Sequence, residues 1–213
     1  MKRVGDLGTT YGKGDVDMPV DFRSLKELVY ANRSCRRFKQ NEVVSRQTLT
    51  DLVDLGRMSA SGNNLQPLKY MLVHEPEVAG RVFPTLRWAA WLKDWPGPGE
   101  GERPAAYVVI LDDKRVKRSV GVDHAIAAQS ILLGARTLGL AGCMIASIDR
   151  DVLRQVLDIP EGAFDIPLVV ALGRPAETIV VETVPADGNI AYWHDEAGVH
   201  HVPKRTLEDI IVR

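Results

Sequence analysis

The segment that decides the fold reads Asn32-Arg-Ser-Cys-Arg-Arg-Phe38, with three arginines in five positions. It follows apolar residues at helical spacing, and Asp21 is a suitable N-cap, so we expect a helix from Phe22 to about Asn32. A phosphate dianion needs several fixed donors, and arginine offers them in a planar fork. The segment is therefore a phosphate-binding turn or a solvated basic turn, and the second is the commoner interpretation for such a segment alone.

The composition indicates one compact globular domain. The 213 residues are 45% hydrophobic and 26% charged, which are ordinary globular values, and the net charge is −1. No global field attracts nucleic acid or an acidic membrane, so any anion site has to be local. We expect a loose N-terminal tail over residues 1–20 and a single domain over residues 21–213.

The two cysteines, Cys35 and Cys143, are too few for a disulfide framework and lack the spacing of metal ligands. We interpret both as small packing residues, which fits a reducing compartment. The polar first residues do not resemble a signal peptide, and no apolar run reaches the roughly 18 residues that a spanning helix needs. The sequence thus predicts a cytoplasmic protein with neither a membrane nor a nucleic acid as partner.

The hydrophobic pattern predicts an α+β fold. Apolar spacing indicates helices at residues 46–59 and 122–138, the second apolar on nearly all sides. Short β-rich runs predict strands at residues 69–74, 105–112, 140–148 and 167–172. These elements do not alternate strictly enough for a doubly wound sheet, so we expect a mostly antiparallel sheet flanked by helices. A helical pattern at residues 77–92 contains Pro84, which should kink or break it.

Two later segments are unusual. Residues 88–104 contain three tryptophans, three prolines and three glycines. They could cover a substrate site, or form a surface excursion with tryptophans in the core, and the sequence favours neither. Residues 189–201 predict a hairpin with a polar turn, with His200 and His201 at the surface. The C-terminal arm, residues 189–213, has little apolar surface, so we expect it to pack on something else, such as another subunit.

Three further motifs suit a flat, polar ligand. In the amide loop, Ser61-Gly-Asn-Asn-Leu-Gln-Pro67, Asn64 and Gln66 offer donors and acceptors that match the pyrimidine edge of a flavin, although an ordinary polar loop has the same composition. The small residues at 139–147 lack G-x-G-x-x-G spacing, yet they would let a flat ring approach a strand. Lys204-Arg205 precedes a small helix, where positive charge is slightly unfavourable, which hints at another use.

The sequence contains no motif for several other chemistries. The five histidines show no H-E-x-x-H spacing, and neither a G-x-S-x-G elbow nor a P-loop occurs. We therefore assign no metal ligand and no catalytic side chain.

Taken together in this order, these segments resemble the nitroreductase family of flavoenzymes. The resemblance covers about residues 22–213 and rests on the basic segment, the amide loop, Asp123 with the helix after it, Gly139–Gly142, Gly173–Pro175 and the ending from Tyr192 to Ile211. It implies FMN bound without a covalent bond at the interface of a homodimer. It also implies a nitroreductase-like α+β fold in which the C-terminal arm is exchanged with the partner subunit.

By motif position the resemblance implies a set of cofactor contacts: Asn32, Arg33, Ser34, Arg36, Ser61, Asn64, Gln66, Met144, Ile145, Ala146, Ser147, Lys204 and Arg205. Arg36 has the position that approaches the N1–O2 edge of the ring, where a cation stabilises the anionic reduced flavin. Arg205, with Lys204, resembles a phosphate anchor. Asn32 departs from the Arg or His of many members, and Ala146-Ser147 departs from the Glu-Gly of some, so the substrate stays open.

The activity that the resemblance implies is the reduction of a nitroaromatic, quinone or similar acceptor. NADH or NADPH would pass hydride to the flavin and leave before the acceptor binds, which gives ping-pong kinetics. The cofactor would carry the chemistry, so no catalytic side chain is required. Two alternatives stay open: a flavin-binding or sensing protein without turnover, and an enzyme of the same fold with another reaction, such as a dehalogenase or a flavin destructase.

Overall fold

The centre of the chain is a four-stranded sheet. The computed structural model describes residues 20–116 and 121–212, with strands β1 (Leu68–Val73), β2 (Ala106–Asp113), β3 (Ala141–Ile145) and β4 (Phe164–Gly173). The strands lie in the order β1–β2–β4–β3, and every neighbouring pair is antiparallel. The predicted α+β fold with a mostly antiparallel sheet is therefore confirmed.

Helices cover both faces of this sheet. Their bounds are α1 (Phe22–Ala31), α2 (Arg46–Arg57), α3 (Pro76–Val82), α4 (Asp123–Thr137), α5 (Arg150–Val156) and α6 (Leu207–Ile210), with short 3₁₀ turns at Gly62–Asn64 and Phe83–Thr85. Asp21 caps α1 as predicted, since its carboxylate accepts from the Ser24 N–H at 2.8 Å.

Strand β2 explains why the layers form. All eight of its residues are buried, and successive side chains point to opposite faces. Tyr107 and Val109 enter one core with side chains of α3 and α5, whereas Val108 and Ile110 enter the other with side chains of α2 and α4. The result is a helix–sheet–helix sandwich with a core on each side of the sheet.

The C-terminal part forms a second, smaller sheet. Strand β7 (His200–Lys204) pairs parallel with β5 (Ile179–Thr183) and antiparallel with β6 (Trp193–His194). The predicted hairpin is thus present, and it folds back on the same chain. Exchange of this arm between subunits stays a prediction. Strand β5 was not predicted, because its partner lies far along the chain and parallel pairing leaves no local turn signal.

Three sequence predictions need correction. The helical pattern of residues 77–92 is helical only to Thr85, because Pro84 ends it and Ala89 adopts a positive φ of 42°. The strand expected at 140–148 ends at Ile145. His200, expected at the surface, is 1% exposed because Arg36, Tyr192 and His194 pack around it.

Residues 1–19 lie outside the described part of the chain, and with them nearly all of the predicted tail. Among the described helices, none has the length and apolar character needed to span a bilayer.

Candidate functional site

A cleft of about 330 Å³, which we call the basic cleft, contains six of the predicted contacts. It is lined by Asn32, Arg33, Ser34, Arg36, Gln129, Leu132, Met144, Tyr192, His200, Val202 and Lys204. These residues come from the segment after α1, from α4, from β3 and from the C-terminal arm. Its size is within the usual range of ligand pockets. The fold therefore brings Asn32, Arg33, Ser34, Arg36, Met144 and Lys204 together from distant parts of the chain.

The sheet edge holds the basic segment in place. The Cys35 N–H donates to the Gly142 carbonyl of β3 at 2.9 Å, and Phe38 is fully buried. Alternation along this extended segment directs Ser34 and Arg36 to the cleft and Cys35 to the interior. Burial raises the pKa of the Cys35 and Cys143 thiols, and both are free. The prediction that they are packing residues is confirmed.

Glu177, just before β5, fixes the backbone of the same segment. Its carboxylate accepts from the backbone N–H groups of both Arg36 and Arg37. The side chain is only 2% exposed, so these charge-assisted bonds form in a poorly solvated place and are strong. The position of the basic segment therefore depends on a residue beyond the main sheet.

The arm fixes the guanidinium of Arg36. The Tyr192 ring lies 4.7 Å from this guanidinium, and His200 Nε2 lies 3.2 Å from its Nη1 atom. Burial and the Arg36 charge lower the pKa of His200 to about 4. A neutral imidazole nitrogen can accept from the guanidinium, so Arg36 keeps a full, fixed positive charge at the cleft.

Glu177, His194 and His200 lie close enough to suggest a metal site. One ligand atom of each lies within 4.8 Å of the others. Burial and the charge of Arg37, with a smaller contribution from Arg36, lower the pKa of His194, and a charge that disfavours a proton also disfavours a divalent cation. We interpret the cluster as the anchor of the basic segment.

The amide loop lies elsewhere in the protomer. Ser61 and Gln66 line a separate cleft of about 200 Å³ with Tyr70 and Asp123, and this cleft shares no lining residue with the basic cleft. Asn64 is exposed. One protomer therefore does not bring Ser61, Asn64 and Gln66 to the basic cleft.

The end of β3 contributes less to the cleft than expected. Met144 lines the basic cleft, but the side chain of Ile145 enters the core on the other face of the sheet. Ala146 and Ser147 are exposed beyond the strand. Their carbonyls already accept from Arg150 Nη2 and from the Arg87 N–H.

The two cations at the end of β7 differ in their relation to the basic cleft. Both are exposed, but Lys204 lines the cleft and Arg205 does not. The phosphate-anchor role of Arg205 stays a prediction.

The tryptophan-rich segment packs against the arm. The Trp95 ring meets His194 edge-on at 6.0 Å, and the Arg37 guanidinium lies 5.8 Å from the Trp95 ring. Trp88 joins a core cluster, while Trp91 is 56% exposed. One tryptophan is thus in the core and another faces solvent, as the surface-excursion interpretation expects, while the role as a cover over a substrate site stays a prediction.

Sequence reasoning missed several residues of the cleft and its supports. They are Gln129, Tyr192, His200, Val202 and Glu177. Gln129 carried a usable signal, because it ends the apolar run Ala125–Ala128 in the middle of α4. Glu177 carried none, since its role depends on backbone amides far away in sequence.

Fold and cleft together define a three-layer α+β protein with a cationic ligand cleft. The chain belongs to the nitroreductase family, whose sequence profile matches residues 29–174. That match ends just after β4, so the arm residues of the basic cleft lie beyond it.

Individual relatives agree with this family. An Archaeoglobus fulgidus protein with the provisional name NADH dehydrogenase/NAD(P)H nitroreductase is 25% identical over 158 residues, which cover 71% of this chain and 85% of the relative. A solved Desulfovibrio desulfuricans structure, provisionally a nitroreductase and in complex with FMN, has a TM-score of 0.63 at 16% identity, covering 89% of this chain and 95% of that one. An FMN-dependent nitroreductase from Clostridium difficile R20291 has a TM-score of 0.57 at 22% identity, covering 70% and 87%.

Proposed function

We propose that this chain is an FMN-dependent oxidoreductase that uses NADH or NADPH to reduce a nitroaromatic, a quinone or a similar acceptor. The observation that carries the proposal is the convergence of Arg33, Arg36 and Lys204 on one cleft in a protein whose net charge is −1. A local cluster of cations suits an anionic cofactor. Family membership and the FMN bound to a structural relative support the choice of flavin.

The donor set of the basic cleft fits such a cofactor. Among the described residues, Arg33 Nε and His200 Nδ1 are buried polar atoms without a hydrogen-bond partner, and both residues line the cleft. Buried donors without an acceptor cost free energy, so a bound anionic or polar ligand would satisfy them. We assign Asn32, Arg33, Ser34, Arg36, Met144 and Lys204 to hold FMN, with Arg205 as a further phosphate contact.

The chemistry divides between cofactor and protein. When bound, FMN supplies the hydride acceptor and donor for a ping-pong reaction. Arg36 supplies a positive charge that is fixed before reaction by Tyr192 and His200, and such a charge favours the anionic form of a ligand over its neutral form. The Tyr192 ring of the arm covers one side of this charge.

A homodimer would bring the amide loop to the cleft. Helix α1 has no buried residue, even though it carries large apolar side chains. Phe22, Leu25 and Tyr30 are 79%, 46% and 65% exposed. Large apolar side chains also remain exposed at Leu207, Ile210 and Ile211. Exposed large apolar side chains grouped on one helix suit a subunit interface. We propose that the partner subunit's Ser61, Asn64 and Gln66 complete each flavin site.

The decisive experiment is an anaerobic titration of the purified full chain. The expected result is a flavin absorption spectrum that bleaches with NADH or NADPH and returns when a quinone or a nitroaromatic is added. A flavin that binds but stays oxidised would favour the sensing alternative. A protein that binds no FMN would overturn both.

A further inference from the structure

The amide loop has an unusual backbone. Asn63, Asn64 and Gln66 have positive φ values of 51°, 54° and 51°. Non-glycine residues adopt this region rarely, and a cluster of such residues persists only where the surrounding structure enforces it. The loop therefore needs an anchor.

Packing within the chain does not explain this conformation. Residues 62–66 are all exposed, including the two asparagines and Leu65. Their side chains lie at the surface of the protomer, so burial of these side chains does not offset the strained backbone. Strain at an exposed polar loop points to a role in contacting something outside the protomer.

The anchor is a carboxylate at the start of α4. Asp123 is 5% exposed; its Oδ2 accepts from Ser61 Oγ at 2.7 Å and its Oδ1 accepts from the Gly62 N–H at 3.4 Å. Ser61 Oγ in turn accepts from the Gln66 N–H at 2.9 Å. One buried group thus ties both ends of the strained stretch to a rigid helix.

Helix α4 also belongs to the basic cleft. Its Gln129 and Leu132 line that cleft, whereas Asp123 and Ala127 line the cleft of the amide loop. Positions 127 and 129 are about 200° apart around the helix axis, so the two sides of α4 serve the two clefts. A single rigid element therefore sets where the amide loop stands relative to the basic cleft of its own protomer.

We propose that Asp123 is a positioning residue that holds the Ser61–Gln66 loop in its flavin-contacting conformation before the cofactor arrives. The proposal rests on the proposed function, since it takes the amide loop to contact FMN. Preorganisation lowers the entropy that binding would otherwise cost, so loss of the anchor weakens FMN binding without removing a direct contact.

The test compares Asp123→Ala, Asp123→Asn and Ser61→Ala in the full chain. Ser61→Ala breaks the same link from the loop side if Asp123→Ala folds poorly. Because Ser61 is itself assigned a flavin contact, the hydrogen exchange of this variant, not its FMN affinity, tests the anchor. Asp123→Asn keeps one acceptor oxygen for Ser61 Oγ. Asp151→Ala is the matched control, because Asp151 is an exposed acid in the first turn of α5.

Hydrogen exchange of the flavin-free protein is the first measurement. In the Ala variants we expect the Gly62 and Gln66 amides to exchange about tenfold faster or more, with α4 and the sheet unchanged. FMN titration is the second measurement, and we expect Kd to rise about tenfold to a hundredfold, with a changed spectrum of the bound flavin. Asp123→Asn should lie between wild type and Asp123→Ala.

The outcomes separate the two proposals. Unchanged loop exchange, faster exchange throughout the protein, or a faster loop with unchanged FMN affinity would each overturn the role of Asp123. If the wild-type chain itself binds no FMN, the proposed function fails before any variant is compared, and the positioning role falls with it.

Discussion

Replacement of Arg36 by alanine removes one fixed positive charge from the basic cleft. The perturbation is local, because Glu177 holds the backbone of this segment through the amides of Arg36 and Arg37 rather than through the guanidinium. Tyr192 and His200 lose a contact, but His200 stays within β7 and Tyr192 directly precedes β6. We therefore expect a folded protein with altered cofactor chemistry.

The size of the effect follows from Coulomb's law. At a separation of roughly 5 Å and an effective dielectric constant of about 20, a unit charge stabilises an anion by about 3 kcal/mol. For a two-electron couple, about 30 mV corresponds to 1.4 kcal/mol, so the reduction potential of the flavin should fall by about 70 mV. Loss of a charged hydrogen bond should also weaken FMN binding about tenfold or more.

The assay is anaerobic equilibration of the bound flavin with a dye of known potential. Arg36→Lys is a second informative variant, because it keeps the positive charge but loses the planar guanidinium. Its bound flavin should keep a reduction potential near that of the wild type, while its affinity for FMN falls. Arg37→Ala is the matched control, since the Arg37 guanidinium faces Trp95 and Glu102 rather than the cleft. Equal potentials for wild type and Arg36→Ala would refute the assignment of the basic segment.

Three further predictions concern packing, assembly and pH. Gly142→Ala would place a Cβ atom 2.4 Å from the Ala171 carbonyl oxygen, so it should lower the free energy of unfolding in urea by about 1–3 kcal/mol. Gly80→Ala is the control, because Gly80 lies in open space within α3, and it should raise the free energy of unfolding by up to about 1 kcal/mol. Phe22→Glu combined with Leu25→Glu should yield monomers in sedimentation, and an unchanged mass would exclude α1 from the interface. The pKa of His200 is about 4 in the folded chain and near 6.5 when unfolded. Its contribution to the free energy of unfolding is therefore complete above about pH 6.5 and is lost as the pH falls toward 4, by at most about 1.4 kcal/mol per pH unit. In urea unfolding at a series of pH values, His200→Gln should show a weaker loss of stability over this range.

The helices and strands that the sequence predicted well are those whose side chains are buried on one face or on all sides. Strand β2 and helix α4 were located to within a residue or two, because each contains a run of apolar residues that is buried in the core. Residues 86–92 were misassigned because their helical spacing reflects Trp88 packing on a core cluster rather than a helix face. Local periodicity cannot distinguish these two origins.

In the candidate site, too, the sequence predicted some residues correctly and missed others. Asn32, Arg33, Ser34 and Arg36 form a local motif, so sequence located them together, and they do line one cleft. The amide loop carried an equally clear local signal, but within one protomer it lies away from that cleft, because its position depends on long-range packing that the local sequence does not encode. The burial of His200 was missed for a related reason, since it requires the arm to fold back over Arg36.

The basic segment becomes part of a ligand cleft only because the C-terminal arm packs against it. By itself, a segment with three arginines is a solvated turn, and the family match ends at residue 174, before every arm residue that fixes it. Glu177 sets its backbone, while Tyr192 and His200 hold one of its guanidinium groups beside Lys204. Two of the three cleft cations, Arg33 and Arg36, thus come from the N-terminal half of the domain, but the position of the segment that carries them is determined by Glu177 and the C-terminal arm. Any substitution that loosens the arm should therefore change flavin affinity and potential together, even at a residue that never contacts the cofactor.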